Sequence, residues 1–124
     1  MSRALATTHD RDLIDNDPSA LAHLMAEACL DTKAKDVVTL DTSGQSDAFS
    51  RLVICSGTSD RQVQGIANNV IQSLQEHGHD PAITGLNNGQ WVIIDCGDVV
   101  AHLFYESARS HYDLEGMWTR AKRV

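Results

Sequence analysis

The residues with the most evident capacity for chemistry are two acids, Asp95 and Asp98, which flank the dipeptide Cys96-Gly97. Paired carboxylates can act as a general acid and a general base, or they can bind a divalent cation. Both uses require further ligands directed at the same point. Aspartate is also a common turn residue. We therefore interpret the pair as flanking a tight turn, and we expect no catalytic residue, no cofactor and no metal site.

Cysteine and histidine offer a second route to chemistry. The three cysteines, Cys29, Cys55 and Cys96, lack metal-ligand spacing and lie among apolar neighbours, where a free thiol behaves as a small hydrophobic group. His102 with Cys96 could supply half of a zinc site, but no full set of four ligands has the required spacing. A nucleophile pair of His102 with Cys55 or Cys96 stays open. We expect His102 to be half-buried and hydrogen-bonded.

A third candidate is the segment Ser56-Gly57-Thr58-Ser59, which joins a predicted strand to a predicted helix. The N–H groups at a helix start attract anions. The segment lacks a lysine and a second glycine at phosphate-loop spacing. We therefore interpret it as a helix cap: Ser59 accepts the first hydrogen bond, and Gln62, three residues on, returns one to the N–H of Ser59.

Trp91 is the most informative single residue. It begins a predicted strand directly after the turn signal Asn87-Asn88-Gly89, so part of its ring is expected to be exposed. Tryptophan is frequent at the energetic centres of protein interfaces. It is also frequent in cores. The sequence leaves both roles open.

Composition limits the classes of function. The chain has 124 residues, 42% of them apolar, which suits one soluble domain. Its 17 acids and 10 bases give a net charge of −7, which argues against sequence-specific nucleic-acid binding and suits a basic protein partner. No apolar run could span a bilayer and no secretory signal begins the chain, so we expect a cytoplasmic location. The last bases, Arg120, Lys122 and Arg123, are expected to form a solvated tail.

The elements that must position these residues follow from periodicity and turn signals. We predict a flexible acidic tail over residues 1–17 and one domain over residues 18–124. The domain is of the α/β (α+β) class, with one mixed sheet of about five strands, helices on its faces and an antiparallel meander formed by the last three strands. The predicted helices cover residues 18–33, 60–77 and 106–118, and the predicted strands cover residues 37–40, 51–57, 82–84, 91–95 and 99–105.

Three details of the helices can be tested. Gly78 is expected to end the second helix in a left-handed conformation. Gly65, inside that helix, suggests a close approach by a neighbour. In the last helical segment, Leu114, Met117 and Trp118 are expected to fold back onto the core.

Four segments, taken in order, resemble the Iojap family, also called the ribosomal silencing factor (RsfS) family. The likeness extends over about residues 18–124. It departs from the family pattern at residues 48–51, where an aromatic-rich segment is usual, at Cys96, where tyrosine is common, and at Leu103, where valine is common. The matching segments are DVVTLD at 36–41, LVICSGTSDRQV at 52–63, GQWVIIDCGDVVAHLF at 89–104 and ARSHYDLEGMW at 108–118.

The resemblance implies a regulator that is not an enzyme, with a nucleotidyltransferase-like fold that lacks the catalytic residues. It implies binding to the large ribosomal subunit, through a basic universal ribosomal protein, at the face that meets the small subunit. Binding there would block subunit joining and repress translation when nutrients are scarce or in stationary phase.

We predict that the contact surface comprises five residues of the Trp91 strand and the following hairpin. Trp91 would be the apolar anchor, and Asp95 or Asp98 would pair with a basic side chain. Gly97 would allow close backbone approach, and His102 completes the set. Two alternatives stay open: a residual nucleotide-binding or nucleotidyltransferase-like enzyme that uses the helix start at residues 57–59, and a homodimeric module that pairs through an exposed strand.

Overall fold

The computed structural model describes residues 17–118 and 121–124, which form helices on both sides of one sheet. The predicted tail lies outside the described residues, apart from Asp17. In chain order the elements are α1 (Pro18–Asp31), β1 (Lys35–Asp41), β2 (Arg51–Gly57), α2 (Asp60–Glu76), β3 (Ala82–Thr84), β4 (Trp91–Asp95), β5 (Val99–Tyr105), α3 (Glu106–Tyr112), a 3₁₀ helix (Leu114–Trp118) and β6 (Lys122–Arg123).

The sheet has the strand order β3-β4-β5-β2-β1-β6. Strands β2 and β5 are parallel, and the other neighbouring pairs are antiparallel. The predicted mixed sheet and the meander β3-β4-β5 are confirmed. The count of about five strands omitted β6, whose two residues pair with Leu40 and Asp41 of β1. Lys122 and Arg123 are therefore part of the sheet and not only a solvated tail, and Arg120, the third base of the predicted tail, lies outside the described residues.

The two faces of the sheet are covered unequally. Helices α1 and α2 cover one face, and the larger hydrophobic cluster lies between them and the sheet. A smaller cluster lies on the opposite face, around Leu52, Ile54 and Phe104, under α3 and the 3₁₀ helix. Strand β2 is buried along almost its whole length, as its continuous apolar run predicted. We call the side with the smaller cluster the open face.

The start of α2 differs in one detail from the predicted capping box. Ser59 Oγ accepts a hydrogen bond from the N–H of Gln62 at 3.0 Å, as expected. The side chain of Gln62 does not return to Ser59, because its Oε1 instead accepts from the N–H and the hydroxyl of Thr58, at 2.6 and 2.9 Å. The helix start is thus satisfied by its own side chains, and Gly78 adopts the predicted left-handed conformation after its end, at φ 84°.

The close approach predicted at Gly65 is wrong. Gly65 is exposed, and no neighbouring atom lies within 4 Å of the position that a Cβ would occupy. The residue therefore has no packing role in the described residues. Gly65 therefore only lowers the stability of the helix, because glycine loses more conformational freedom on folding than other residues do.

We expect Gly65→Ala to raise the free energy of unfolding by about 1 kcal/mol, because alanine is the better helix former. Urea denaturation measures the change. Gly78→Ala is the matched control at the end of the same helix: its site is equally open, but its φ of 84° makes the same substitution destabilising. A Gly65→Ala variant that is no more stable than the parent protein would contradict the prediction.

The predicted C-terminal helix is divided into two short pieces. Asp113 takes a left-handed conformation at φ 46°, which ends α3 and lets the chain turn into the 3₁₀ helix. Leu114 and Trp118 pack against the open-face cluster, as predicted. The same prediction for Met117 is wrong, since its side chain is 70% exposed.

Candidate protein-binding surface

Strand alternation places three of the predicted contact residues on the open face. Val92 and Ile94 of β4 point into the helix-covered core, so the alternating residues Trp91 and Asp95 point to the other side. In the pairing of β4 with β5, Ile93 lies opposite His102 and Trp91 lies opposite Phe104. The register therefore places His102 on the open face between Trp91 and Asp95, which lie at the two ends of β4.

Trp91 is half-buried and held on several sides. Its Nε1–H donates a hydrogen bond to Nδ1 of His102 at 2.9 Å. Its ring centroid lies 5.0 Å from that of Phe104 and 4.6 Å from that of Tyr112. Trp91 thus lies at the edge of the smaller hydrophobic cluster and is partly accessible to solvent. Its only side-chain donor, the indole N–H, is already hydrogen-bonded within the chain.

His102 is half-buried and hydrogen-bonded, as predicted. Burial lowers its pKa from 6.5 to about 4, and the nearby carboxylate of Asp95 offsets only part of that effect. The ring is neutral at pH 7, with Nδ1 as the acceptor of the Trp91 bond and the proton on Nε2. Such a ring orients Trp91 and is not poised to exchange protons near neutral pH.

The depressed pKa predicts a specific dependence of stability on pH. Between pH 6.5 and about 4 the unfolded chain binds a proton at His102 that the folded chain does not, so stability falls as the pH falls through this window. The loss should approach about 3 kcal/mol. The carboxylates of Asp41 and Glu115, whose pKa values are lowered mainly by side-chain hydrogen bonds, add their own acid losses, so the parent protein must be compared with a variant.

His102→Gln is the suitable variant, since it removes the titrating group and retains an acceptor for Trp91. Urea unfolding at several pH values between 7 and 4 should show a smaller slope of stability against pH for this variant. Equal slopes for the two proteins would contradict the assigned state of His102.

His102 does not pair with either of the two cysteines, Cys55 and Cys96, that the sequence left open as nucleophile partners. Cys55 lies in the helix-side core and Cys96 packs against it, whereas His102 lies on the open face. In the described part of the chain, no three His, Cys, Asp or Glu side chains are grouped so that they could hold a metal ion. Cys96 stands where tyrosine is common in the family. Because Cys96 packs against the helix-side core, this difference does not alter the apolar part of the open face.

The segment from Asp95 to Asp98 is a tight turn, as predicted. Asp95 Oδ1 accepts a hydrogen bond from the N–H of Gly97 at 2.8 Å, and Gly97 has a left-handed φ of 85°. The backbone carbonyl of Asp98 accepts from the N–H groups of Ser50 and Arg51, at 2.7 and 3.2 Å. Both acidic side chains are exposed. The turn therefore presents two carboxylates at one end of the open face.

An aromatic cleft that sequence reasoning missed adjoins Trp91. It has a volume of about 480 Å³ and lies between the turn before β4 and helix α3. Tyr112 forms part of its wall and is 51% exposed. The residue belongs to a segment that resembles the family, but only the folding of α3 over the sheet shows that it stacks on Trp91. Besides Trp91 and Tyr112, the lining includes Asn88, Gln90, Ala108 and His111.

The candidate anion site is a helix cap. Oxygen atoms of Ser59 and Gln62 accept hydrogen bonds from N–H groups that an anion would need.

Within the described residues, no helix combines the length and apolar character needed to cross a membrane. The open face is the best remaining candidate for function, because it carries an apolar aromatic group around Trp91 at one end of β4 and two exposed acids at the other end.

Comparison with known proteins places the chain in a family. Residues 15–124 match the family described as "Ribosomal silencing factor during starvation". The chain is 40% identical over 99 residues to "Ribosomal silencing factor RsfS" of Chromobacterium violaceum, covering 79% of this chain and 81% of that protein. It is 38% identical over 100 residues to the Bacillus subtilis protein of the same name, covering 80% and 85%.

A more distant relative is the mouse "Mitochondrial assembly of ribosomal large subunit protein 1", 29% identical over 91 residues, covering 69% of this chain and 40% of the mouse protein. A crystal structure of a Chromobacterium violaceum protein superposes with a TM-score of 0.81, at 38% identity, covering 83% of this chain and 87% of that one. The family match over nearly the whole chain and the shared fold agree. This chain belongs to the ribosomal silencing factor (RsfS) family.

Proposed function

We propose that this chain binds the large ribosomal subunit at its intersubunit face, blocks association with the small subunit and thereby represses translation. The observation that carries the proposal is the open face, where the half-buried Trp91 lies at the start of β4 and two exposed carboxylates, those of Asp95 and Asp98, lie at its other end. Family membership and the large-subunit name of the mouse relative support this choice of partner.

The chemistry of the open face suits a basic ribosomal protein. Trp91 is the apolar anchor, and Asp95 and Asp98 are placed to pair with lysine or arginine on the partner. Gly97 has no atom within 4 Å of the position that a Cβ would occupy, which lets the partner's backbone approach. The net charge of −7 raises the rate of association with a basic surface more than it raises the final affinity.

His102 has a supporting role in this proposal. Its bond to the indole N–H fixes the Trp91 ring before the partner arrives. A ring held in advance loses little freedom on binding, which favours affinity. The protein acts in the cytoplasm, when nutrients are scarce or in stationary phase, and the starvation in the family description agrees with that condition.

The test is a reconstituted subunit-joining assay. Purified protein is mixed with large subunits and sedimented through a sucrose gradient, and small subunits are then added. The proposal predicts co-sedimentation with the large subunit and a reduced yield of joined ribosomes. Failure to bind at micromolar protein, or normal joining in the presence of bound protein, would contradict it.

We also propose that the chain is not an enzyme. The helix start at residues 57–59, the part of the chain with which a nucleotide enzyme could bind phosphate, is occupied by side chains of the same segment. A binding ligand raises the midpoint of thermal unfolding by mass action. Millimolar ATP or GTP with Mg²⁺ is therefore expected to leave the midpoint unchanged, and a clear rise would favour the enzyme alternative.

A homodimer is a second candidate, because strand β3 forms an edge of the sheet. All three of its residues are exposed, and the side chain of Ile83 is 40% exposed. Exposed strand edges pair readily with other chains. Sedimentation velocity at several concentrations tests this candidate, with Ile83→Lys as the variant that should weaken association. A monomer mass at every concentration would rule it out.

A further inference from the structure

Arg109 makes more side-chain hydrogen bonds than any other described residue, and it joins four parts of the fold. Its Nε and one terminal nitrogen donate to the two carboxylate oxygens of Glu115, at 2.9 and 3.1 Å. The other terminal nitrogen donates to the backbone carbonyl of Asp36 at 2.8 Å and to Oγ of Ser56 at 2.9 Å. The side chain is only 13% exposed. These contacts link α3, the 3₁₀ helix, β1 and β2.

The acceptors of Arg109 lie at fixed points of the sheet. Ser56 is 2% exposed and belongs to the central strand β2. Asp36 has a left-handed φ of 51° and lies in the irregular stretch of β1 between Lys35 and Val38. A planar guanidinium bound to both of them can therefore adopt few orientations. Arg109 is anchored to the sheet on one side and to Glu115 on the other.

Helix α3 has few other contacts that could fix its position. It has seven residues, its start has no side-chain cap, and none of its residues is fully buried. So short a helix gains little from its own backbone bonds. Its apolar contacts with the sheet come mainly from the partly buried Ala108 and from the stacking of Tyr112 on Trp91. A second polar link, the ion pair of Glu106 with Lys35 at 4.0 Å, is exposed and contributes little. The hydrogen bonds of Arg109 are therefore the main polar fixation of this helix.

Tyr112 lies between the two ends of this ionic contact. Arg109 precedes it by one turn, and Glu115 follows it after the left-handed Asp113. The bidentate pair closes this turn of chain, and the hydrogen bonds of Arg109 lower the pKa of Glu115, which keeps that partner ionised. The pair thus restrains the chain on both sides of the ring that covers Trp91.

We propose that Arg109 is a positioning residue, which through Glu115, Asp36 and Ser56 holds Tyr112 against Trp91 and so sets the shape of the ribosome-binding surface. This inference rests on the proposed function, because it concerns the same surface. Arg109 itself is not a contact residue in this account. Its effect on binding passes through Tyr112.

The first experiment examines Trp91 directly and needs no ribosome. In the two-dimensional amide and indole NMR spectrum, Trp118→Phe assigns the indole signal of Trp91, since the chain has two tryptophans. Arg109→Gln should shift this signal in the same direction as Tyr112→Leu does. The matched control Arg61→Gln removes an exposed arginine of α2, which covers the opposite face of the sheet, and should leave the signal in place. If Arg109 only stabilised the fold, its replacement would lower the stability of the protein. The Trp91 signal of the folded protein, recorded at a temperature well below the unfolding midpoint, would then stay in place.

The second experiment is a double-mutant cycle on large-subunit binding. Arg109→Gln alone should weaken binding by about 10-fold, but by less than about 2-fold in a Tyr112→Leu background, because the two changes act through one contact. If Arg109→Gln does not fold, Glu115→Gln is the milder variant for both experiments, since it retains the oxygen acceptor and loses the charge.

The outcomes separate the two proposals. A Trp91 signal that Arg109→Gln moves no more than Arg61→Gln does overturns the positioning role, whatever the binding data show. Full additivity in the cycle also overturns it. If the parent protein does not bind large subunits but the signal shifts as expected, the proposed function fails and the positioning of Trp91 by Arg109 is supported.

Discussion

Replacing Trp91 with alanine is expected to weaken binding to large ribosomal subunits by about 100-fold, the loss typical of an aromatic anchor at the centre of an interface. The ring is stacked on Tyr112 and Phe104 and bonded to His102, so it is held in position before binding. Its apolar surface then contributes to affinity with little loss of freedom. Titration of labelled protein against large subunits, followed by sedimentation, measures the change.

Trp91→Phe is the matched control for this prediction. It keeps an aromatic ring and removes the N–H, which in the free protein is donated to His102 and not to solvent. Its affinity should therefore fall much less than that of Trp91→Ala. Circular dichroism must show that both variants are folded. A folded Trp91→Ala variant that binds as tightly as the parent protein would show that the anchor lies elsewhere.

Replacing Gly85 with alanine is expected to cost about 3 kcal/mol or more of stability, because two unfavourable effects coincide at this residue. Gly85 has a left-handed φ of 83°, and a Cβ built there would overlap with the carbonyl oxygen of Trp91. That oxygen belongs to the backbone and cannot move without moving the start of β4. The substitution should therefore also displace Trp91. Chemical denaturation measures the loss of stability, and the Trp91 indole signal measures the displacement.

Gly97→Ala is the matched control, since it isolates the conformational effect. Gly97 has nearly the same φ, 85°, but no atom lies within 4 Å of its Cβ position. Its replacement should cost only about 1 kcal/mol, the usual cost of a left-handed alanine. If the two glycine variants have equal stability, the close approach of Gly85 to Trp91 is not important for the fold.

Local sequence signals correctly predicted most of the elements. Asp17 accepts from the N–H of Ser19 and Pro18 begins α1, because a cap and a residue without an N–H suit a helix start. Strands β2, β3, β4 and β5 have the predicted bounds, because apolar runs between turn residues specify them locally. These features depend on neighbours within a few residues.

Part of the candidate site was also accessible from sequence. The alternation of β4 separates Trp91 and Asp95 from the buried Val92 and Ile94. Asn88 and Gly89 indicated the turn before Trp91, and Asp95 and Asp98 indicated the turn after it. The types and spacing of these residues thus sufficed to place a tryptophan and two acids near the ends of one strand.

The sequence by itself therefore determined most of the elements, their order, the family and the choice of Trp91 as the central candidate residue. Only the tertiary structure decided how distant residues meet. The bond of Trp91 to His102 crosses a hairpin between residues 11 positions apart. The pairing of Lys122 and Arg123 with β1 and the contact of Arg109 with Asp36 join residues far apart in the chain. Such contacts form because strand pairing brings their elements together, and no short-range pattern encodes a partner that lies tens of residues away.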